Sequence, residues 1–325
     1  MSVGIIGGGA WGTALAQVIA SSGDSVLIWA REEEVVAGIN KAHENPLFLQ
    51  GIKLAPTIQA TGELDALQDC DMLLAVTPAQ HLRAVLRAAA PGARPTILCA
   101  KGIEAGTRML MSEVAQETCP HTPVAVLSGP TFAHEVATGL PTAVTLACAD
   151  PDLARIVAQR IARPHFRPYV SDDVIGAEIG GAVKNVLAIA CGVVAGKQLG
   201  QNAGAALIAR GFAEMARFGL ARGARAETLS GLSGLGDLVL TCSSTSSRNF
   251  SLGKGLGEGR SAMDLLAASP AIAEGAFTAP VLLEAAKAAG VDMPVTAAVC
   301  ALLSGQADAT EIARTLLSRP LRSEL

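Results

Sequence analysis

Val3-Gly-Ile-Ile-Gly-Gly-Gly-Ala-Trp-Gly-Thr-Ala-Leu-Ala16 stands near the start of the chain and joins a strand signal to a helix signal. Val3–Ile6 is a short apolar run of the kind that makes a buried strand, and Gly7 ends it at once. From Trp11 to Ser22 the apolar residues recur at helical spacing. Gly7, Gly9 and Gly12 stand between and within the two elements in the order Gly-x-Gly-x-x-Gly. Gly7 permits a tight turn, Gly9 lets backbone approach a pyrophosphate, and Gly12 lets the helix pack on the strand. The helix N-terminus then faces the anion. A glycine fingerprint alone is weak; one that follows a strand and opens a helix is a dinucleotide signature.

Outward from that stretch, short apolar runs alternate with helical patterns. Strands are expected at Val3–Ile6, Ser25–Trp29, Met72–Val76, Thr96–Ala100, Val124–Leu127 and Thr142–Ala147, with a strand-like Phe166–Val170 after them. Helices are expected at Trp11–Ser22, Glu32–Asn40, Ala79–Ala90, Thr107–Glu117 and Asp152–Ile161. This alternation predicts an α/β domain of Rossmann type, a doubly wound and mostly parallel sheet covered on both faces. From about Ser171 the strand signals nearly vanish. Helical patterns then run at Val174–Gly196, Gly204–Gly223, Leu252–Leu256, Ala279–Ala289, Val295–Leu303 and Thr310–Leu317. The expected division is a dinucleotide-binding domain over residues 1–172 and an all-α domain over 173–325 that binds substrate. The glycine-rich Gly253–Gly259 contains Gly-Lys with no Ser or Thr after it, so it is no P-loop and reads as a helix end and turn.

The chain of 325 residues is half hydrophobic, enough for a large core, but only 3% aromatic, so Ala, Leu, Val and Gly must fill it. A net charge of −4 argues against nucleic acid or an anionic membrane as the main partner. The seven cysteines form no Cys-x-x-Cys pair, so neither a metal site nor a disulfide framework is expected. Reduced thiols fit a cytoplasmic protein. The N-terminus lacks a basic region and a long apolar stretch, unlike a signal peptide. Val174–Gly196 is apolar but carries Glu178, Lys184 and Asn185, which suits a buried helix better than a membrane span.

The residue after the second strand bears on the cofactor. NAD readers place an acid there for the ribose hydroxyls. Here the strand ends Trp29-Ala30-Arg31, and Arg31 suits a 2′-phosphate instead. Glu32, Glu33 and Glu34 fit the first turn of a helix, where carboxylates favour the dipole. NADPH is therefore expected in preference to NADH, with both usable; the alternative for Arg31 is a solvated charge.

Several polar residues sit where chemistry can use them. Lys184 stands in the apolar helix with Gly180, Gly181, Leu187 and Ala188 three and four residues away. The small neighbours predict a hollow beside a partly desolvated lysine, whose pKa would fall toward acid–base range. Lys101 follows a strand, at the sheet's carboxyl edge where such folds bind ligands. Asp237 is an acid in apolar company, a partner for Lys184 or else a helix cap, and Thr241 stands one helical turn on. Ser247-Arg248-Asn249 offers a helix cap and a planar fork of donors suited to phosphate. Snorkelling from a core helix, for Lys184, and an ordinary loop position, for Lys101, are the structural alternatives.

Five stretches taken together carry a resemblance over essentially the whole chain. They are Gly7–Ala16 (GGGAWGTALA), Ala100–Glu104 (AKGIE), Leu127–Val136 (LSGPTFAHEV), Gly181–Gly192 (GAVKNVLAIACG) and Gly231–Asn249 (GLSGLGDLVLTCSSTSSRN). In this order the chain resembles the bacterial NAD(P)-dependent glycerol-3-phosphate dehydrogenases. The resemblance implies interconversion of dihydroxyacetone phosphate and sn-glycerol 3-phosphate, in the reducing direction supplying glycerophospholipid synthesis. It implies Lys184 as proton donor, with Asp237, Lys101, Asn185 and Thr241 in the catalytic group. Cofactor contacts are implied at Gly7, Gly9, Ala10, Trp11, Gly12, Arg31, Lys101, Ala133, Arg248, Ile272 and Glu274. Substrate contacts are implied at Lys101, Gly129, Thr131, Lys184, Asp237, Ser247, Arg248 and Asn249. Thr131 stands where Ser is common and keeps the hydroxyl. No metal, nucleic acid or membrane insertion is expected, and a homodimer is the default assembly. Two other readings stay open from sequence: a related two-domain dehydrogenase for another small keto or hydroxy substrate, and an inactive nucleotide-binding regulator.

Overall fold

The computed structural model describes residues 2–267 and 273–312. Its first unit holds the chain up to Gly181 together with Gly223–Asp237. Eight strands form one sheet: β1 (Ser2–Ile6), β2 (Ser25–Trp29), β3 (Ile58–Thr61), β4 (Met72–Ala75), β5 (Thr96–Leu98), β6 (Val124–Ser128), β7 (Thr142–Ala147) and β8 (Phe166–Ser171). Their spatial order is 3-2-1-4-5-6-7-8, and all neighbouring pairs run parallel except β6 with β7. Helices α1 (Ala10–Ala20), α2 (Glu33–Ala42), α3 (Leu82–Ala89), α4 (Met111–Thr118), α5 (Ala133–Ala137) and α6 (Pro151–Ile161) connect them. Val3, Ile5 and Ile6 are fully buried, as expected for a central strand covered on both faces. The chain turns left and right from β1 to β2 and from β4 to β5, so the switch point lies between β1 and β4, beside the glycine stretch.

The sheet domain differs from the sequence reading at two places. The helix expected from Thr107 begins only at Met111. Gly106 and Arg108 take positive φ (83° and 62°), and Ile103 pairs with Leu110 as an isolated bridge, so no helix can run through them. The strand β3 was not expected at all. It is four residues long, and only its Ile58 and Ala60 face the core, too few for a legible alternation.

Helix α7 (Val174–Gly196) runs from the first unit into the second. It is the one helix among the described residues long and apolar enough to cross a membrane, and most of it is buried inside the protein. After α8 (Gln201–Ala221) the chain returns to the first unit as α9 (Ala226–Leu229) and a π-helical turn, Leu232–Gly236. Then follow α10 (Asp237–Cys242), α11 (Arg248–Gly257), α12 (Ala262–Ala267), α13 (Glu274–Ala288) and α14 (Pro294–Leu303). The helix expected at Thr310–Leu317 lies largely outside the described residues.

In the second unit Gly253–Gly259 forms the end of α11 and the turn after it, as the sequence suggests: the helix runs to Gly257, and Gly259 takes φ 91°. There α7 and α11 approach backbone to backbone. A Cβ on Gly253 would stand 1.9 Å from the Ile189 carbonyl oxygen, and one on Gly192 2.1 Å from that of Phe250. Glycine on both helices is the condition for that contact. Burial also raises two carboxyls to about 7: Glu178, held by the N–H and hydroxyl of Ser112, and Glu214, which accepts from Val295 and Thr296 at the start of α14.

Candidate active site

Within the first unit, the fingerprint glycines build an open helix end. Gly7 takes φ 126°, and its N–H donates to the Trp29 carbonyl at 3.0 Å. A Cβ on Gly12 would lie 2.0 Å from Gly7 O, so only glycine lets α1 sit this close to the loop. Gly9 is the N-cap of α1, with no side chain capping it and nothing within 4 Å of an added Cβ. The first helical N–H groups are thus left for a ligand. Ala10 and Trp11 form the first turn.

Among the buried side-chain polar atoms of this unit that have no hydrogen-bond partner in the structure are Trp11 Nε1, Thr77 Oγ1 and Ser128 Oγ. They follow or end β1, β4 and β6, at the carboxyl edge of the sheet. Buried polar atoms with free hydrogen-bonding capacity at the carboxyl edge suit a polar ligand there. The loop, the uncapped helix and these atoms fit a dinucleotide. Arg31 lies just past β2, mostly exposed, with only a loose 3.5 Å contact to Glu32. Its guanidinium is open to a ligand from solvent.

Lys101 follows β5 on a clamped loop. Gln80 donates to Ile103 O at 2.8 Å and accepts from Ala105 N at 2.9 Å. Arg83 binds Glu104 with two bonds of 2.8 Å, and that guanidinium holds the Glu104 carboxyl below its ordinary range. These residues were missed from sequence, although Glu104 lies inside AKGIE; their signal is only a polar pair facing a loop. The Lys101 ammonium donates to Asp237 Oδ2 at 2.7 Å and to Gly129 O at 3.2 Å. Asp237 is fully buried and the Lys101 side chain largely so, and the ion pair is shielded from solvent. Thr131 makes a long 3.4 Å bond to the same Gly129 carbonyl, and Ala133 opens α5.

The hollow expected beside Gly180 and Gly181 is filled by protein. A Cβ at Gly180 would stand 2.2 Å from Ser233 O, and one at Gly181 3.1 Å from Ser128 Oγ and 3.2 Å from Lys101 Cγ. Small residues here let Lys101 and Ser128 close up on the helix rather than opening a pocket.

In the second unit, Lys184 is buried, and its ammonium donates to Thr241 Oγ1 at 3.1 Å. Asp237 and Thr241 stand one turn apart on α10. Asn249 Nδ2 donates to Asn185 Oδ1 at 3.0 Å, and Asn249 Oδ1 accepts from Gly275 N at 2.9 Å. Asn185 and Asn249 therefore lock α7, α11 and the start of α13 together. Ser247 caps α11 by accepting from Phe250 N at 3.2 Å. Arg248, the first residue of that helix, is exposed and makes no hydrogen bond or ion pair among the described residues. Glu274 opens α13, and Ile272 lies outside the described residues.

Comparison with known proteins places these residues in a family. Residues 2–154 match the model of the NAD-dependent glycerol-3-phosphate dehydrogenase N-terminus, and residues 173–314 that of its C-terminus. The chain is 63% identical over 322 residues to a glycerol-3-phosphate dehydrogenase [NAD(P)+] of Erythrobacter litoralis, covering 99% of this chain and 97% of that one. It is 61% identical to a protein of the same description from Sphingopyxis alaskensis, again covering 99% and 97%. The crystal structure of glycerol-3-phosphate dehydrogenase from Coxiella burnetii superposes with a TM-score of 0.94 at 38% identity, covering 98% of this chain and 99% of that one. The chain belongs to the NAD-dependent glycerol-3-phosphate dehydrogenase family.

Proposed function

We infer that the chain is an NAD(P)-dependent oxidoreductase that interconverts dihydroxyacetone phosphate and sn-glycerol 3-phosphate. The full-length 63% identity to a glycerol-3-phosphate dehydrogenase [NAD(P)+] carries this reading. Residues 1–172 serve the dinucleotide and residues 173–325 the substrate. The reduced nicotinamide, when bound, supplies a hydride to C2 of the ketone. Lys184 gives the proton to the carbonyl oxygen, and takes it back in the reverse direction. Thr241, within hydrogen-bond distance of the ammonium, orients it. Lys101, held by Asp237, supplies positive charge at the sheet edge for substrate and cofactor alike. Gly129 and Thr131 line the same edge. Arg248 and Asn249, at the N-terminus of a helix capped by Ser247, take the phosphate. Gly7, Gly9, Ala10, Trp11, Gly12, Ala133, Arg248, Ile272 and Glu274 contact the cofactor.

NADPH is the preferred cofactor in this reading, because Arg31 stands where NAD readers carry an acid. Arg31→Ala should then weaken NADPH relative to NADH by about 1.5–3 kcal/mol, the scale of a charge-assisted hydrogen bond. Titration of both cofactors against both proteins checks it; equal weakening would mean that Arg31 does not touch the 2′ position. The enzyme works in the cytoplasm as a homodimer and supplies glycerol 3-phosphate to glycerophospholipid synthesis. Loss of reduced-nicotinamide absorbance when purified protein meets NADPH and dihydroxyacetone phosphate tests the activity.

A further inference from the structure

We propose that Asn45 is a positioning residue for the cofactor's pyrophosphate, acting through the carbonyls of the fingerprint loop. Asn45 is fully buried, and every hydrogen-bonding direction of its amide is used. Its Nδ2 donates to Gly8 O at 2.9 Å and to Thr13 Oγ1 at 2.8 Å. Thr13 passes the interaction on, donating from Oγ1 to Gly9 O at 3.0 Å. Asn45 Oδ1 accepts from Leu47 N at 3.3 Å and Phe48 N at 3.0 Å, which folds the chain after it into a turn. Gln17, one turn further along α1, accepts from Ala55 N at 2.9 Å. The segment between α2 and β3 is thus fastened to α1 at two points, and the first is the fingerprint loop itself.

The consequence follows from peptide geometry. In a trans peptide the C=O and the next N–H point in opposite directions. Fixing Gly8 O toward Asn45 turns the Gly9 N–H away from it. Fixing Gly9 O toward Thr13 does the same for the Ala10 N–H. These are the donors that an uncapped helix end offers an anion, and Gly9 has open space beside it. Glycines have the freedom to rotate such peptides, so something must hold them. Asn45 and Thr13 supply that hold before any ligand arrives, and preorganised donors bind an anion more tightly than mobile ones.

The inference rests on the cofactor-site reading, and the experiment separates the two. ADP-ribose, which carries the pyrophosphate but no nicotinamide, is titrated calorimetrically into the full chain. Failure of the wild type to bind it would remove the cofactor site from this loop. With the wild type binding, Asn45→Leu should raise Kd for ADP-ribose about 10- to 100-fold, the scale of buried polar groups left unpaired. Turnover at saturating NADPH should stay within about twofold, since binding rather than chemistry is lost. Thr13→Val should weaken ADP-ribose in the same direction, and Thr13→Ser, which keeps the hydroxyl, should restore it. The double variant Asn45→Leu/Thr13→Val should fall short of the product of the two single losses, because both act through one relay. An unchanged Kd in folded Asn45→Leu overturns the proposal. Should that variant fail to fold, an unchanged Kd in Thr13→Val, or no rescue by Thr13→Ser, overturns it instead.

Discussion

Lys184→Ala should lower kcat for dihydroxyacetone phosphate reduction by roughly two orders of magnitude or more, the scale of general acid catalysis. Lys184 is buried. A lysine ammonium inside an apolar helix gives up much of its hydration and is kept only where it has partners or work to do. Thr241 Oγ1, at 3.1 Å, accepts one of its three N–H bonds. The fingerprint loop belongs to the other unit of the chain, so NADPH affinity should change little. A packing defect is distinguished by Lys184→Met, which keeps the stem and removes the proton. Both variants should be slow if the proton matters, and only alanine if packing does. Turnover close to wild type in Lys184→Met would remove Lys184 from the chemistry.

Arg248→Ala should sharply reduce the preference for a phosphorylated ketone. Arg248 is exposed, carries no partner among the described residues, and sits at the first position of a helix already capped by Ser247. A free guanidinium beside free helical N–H groups is an oxyanion receptor. Binding a remote phosphate orients the reacting carbonyl, so unphosphorylated dihydroxyacetone should be a very poor substrate of the wild type. Arg248→Ala should depress kcat/KM for dihydroxyacetone phosphate strongly and for dihydroxyacetone little. Arg248→Lys should recover part of the loss, because it restores the charge without the fork. A folding defect, or a role confined to the cofactor, would lower both substrates alike. If the ratio of the two kcat/KM values barely moves, the phosphate is held elsewhere, and Lys101 is the next residue to vary.

What the sequence made legible was set by how local each signal is. Gly7, Gly9 and Gly12 are bracketed by a strand and a helix within sixteen residues, so their geometry follows from neighbours alone. Strands β2 and β7 were readable to the residue, because short runs of mostly apolar and β-branched residues stand between turn residues. β3 was not, because its pairing with β2 rather than its own composition makes it a strand. The glycines of α11 read correctly as a helix end and turn, but their contact with α7 was not legible. Glycine normally weakens a helix, and here the contact with α7 outweighs that cost. Of the candidate residues, Lys101, Asp237, Lys184 and Thr241 were all singled out, and Thr241 was placed in the Lys184 network, but the pairing of Lys101 with Asp237 was not foreseen. Lys101 meets Asp237 across 136 positions of sequence, and no periodicity carries such information. Asn45 escaped notice entirely, since an asparagine before a proline reads as an ordinary turn.

Substrate identity is read from a panel of small keto substrates assayed with NADPH and with NADH on the purified protein. Dihydroxyacetone phosphate should be reduced with by far the highest kcat/KM, to sn-glycerol 3-phosphate, and every unphosphorylated ketone should lag well behind. A different ketone reduced preferentially, or no oxidation of either cofactor with dihydroxyacetone phosphate, would contradict the proposed interconversion.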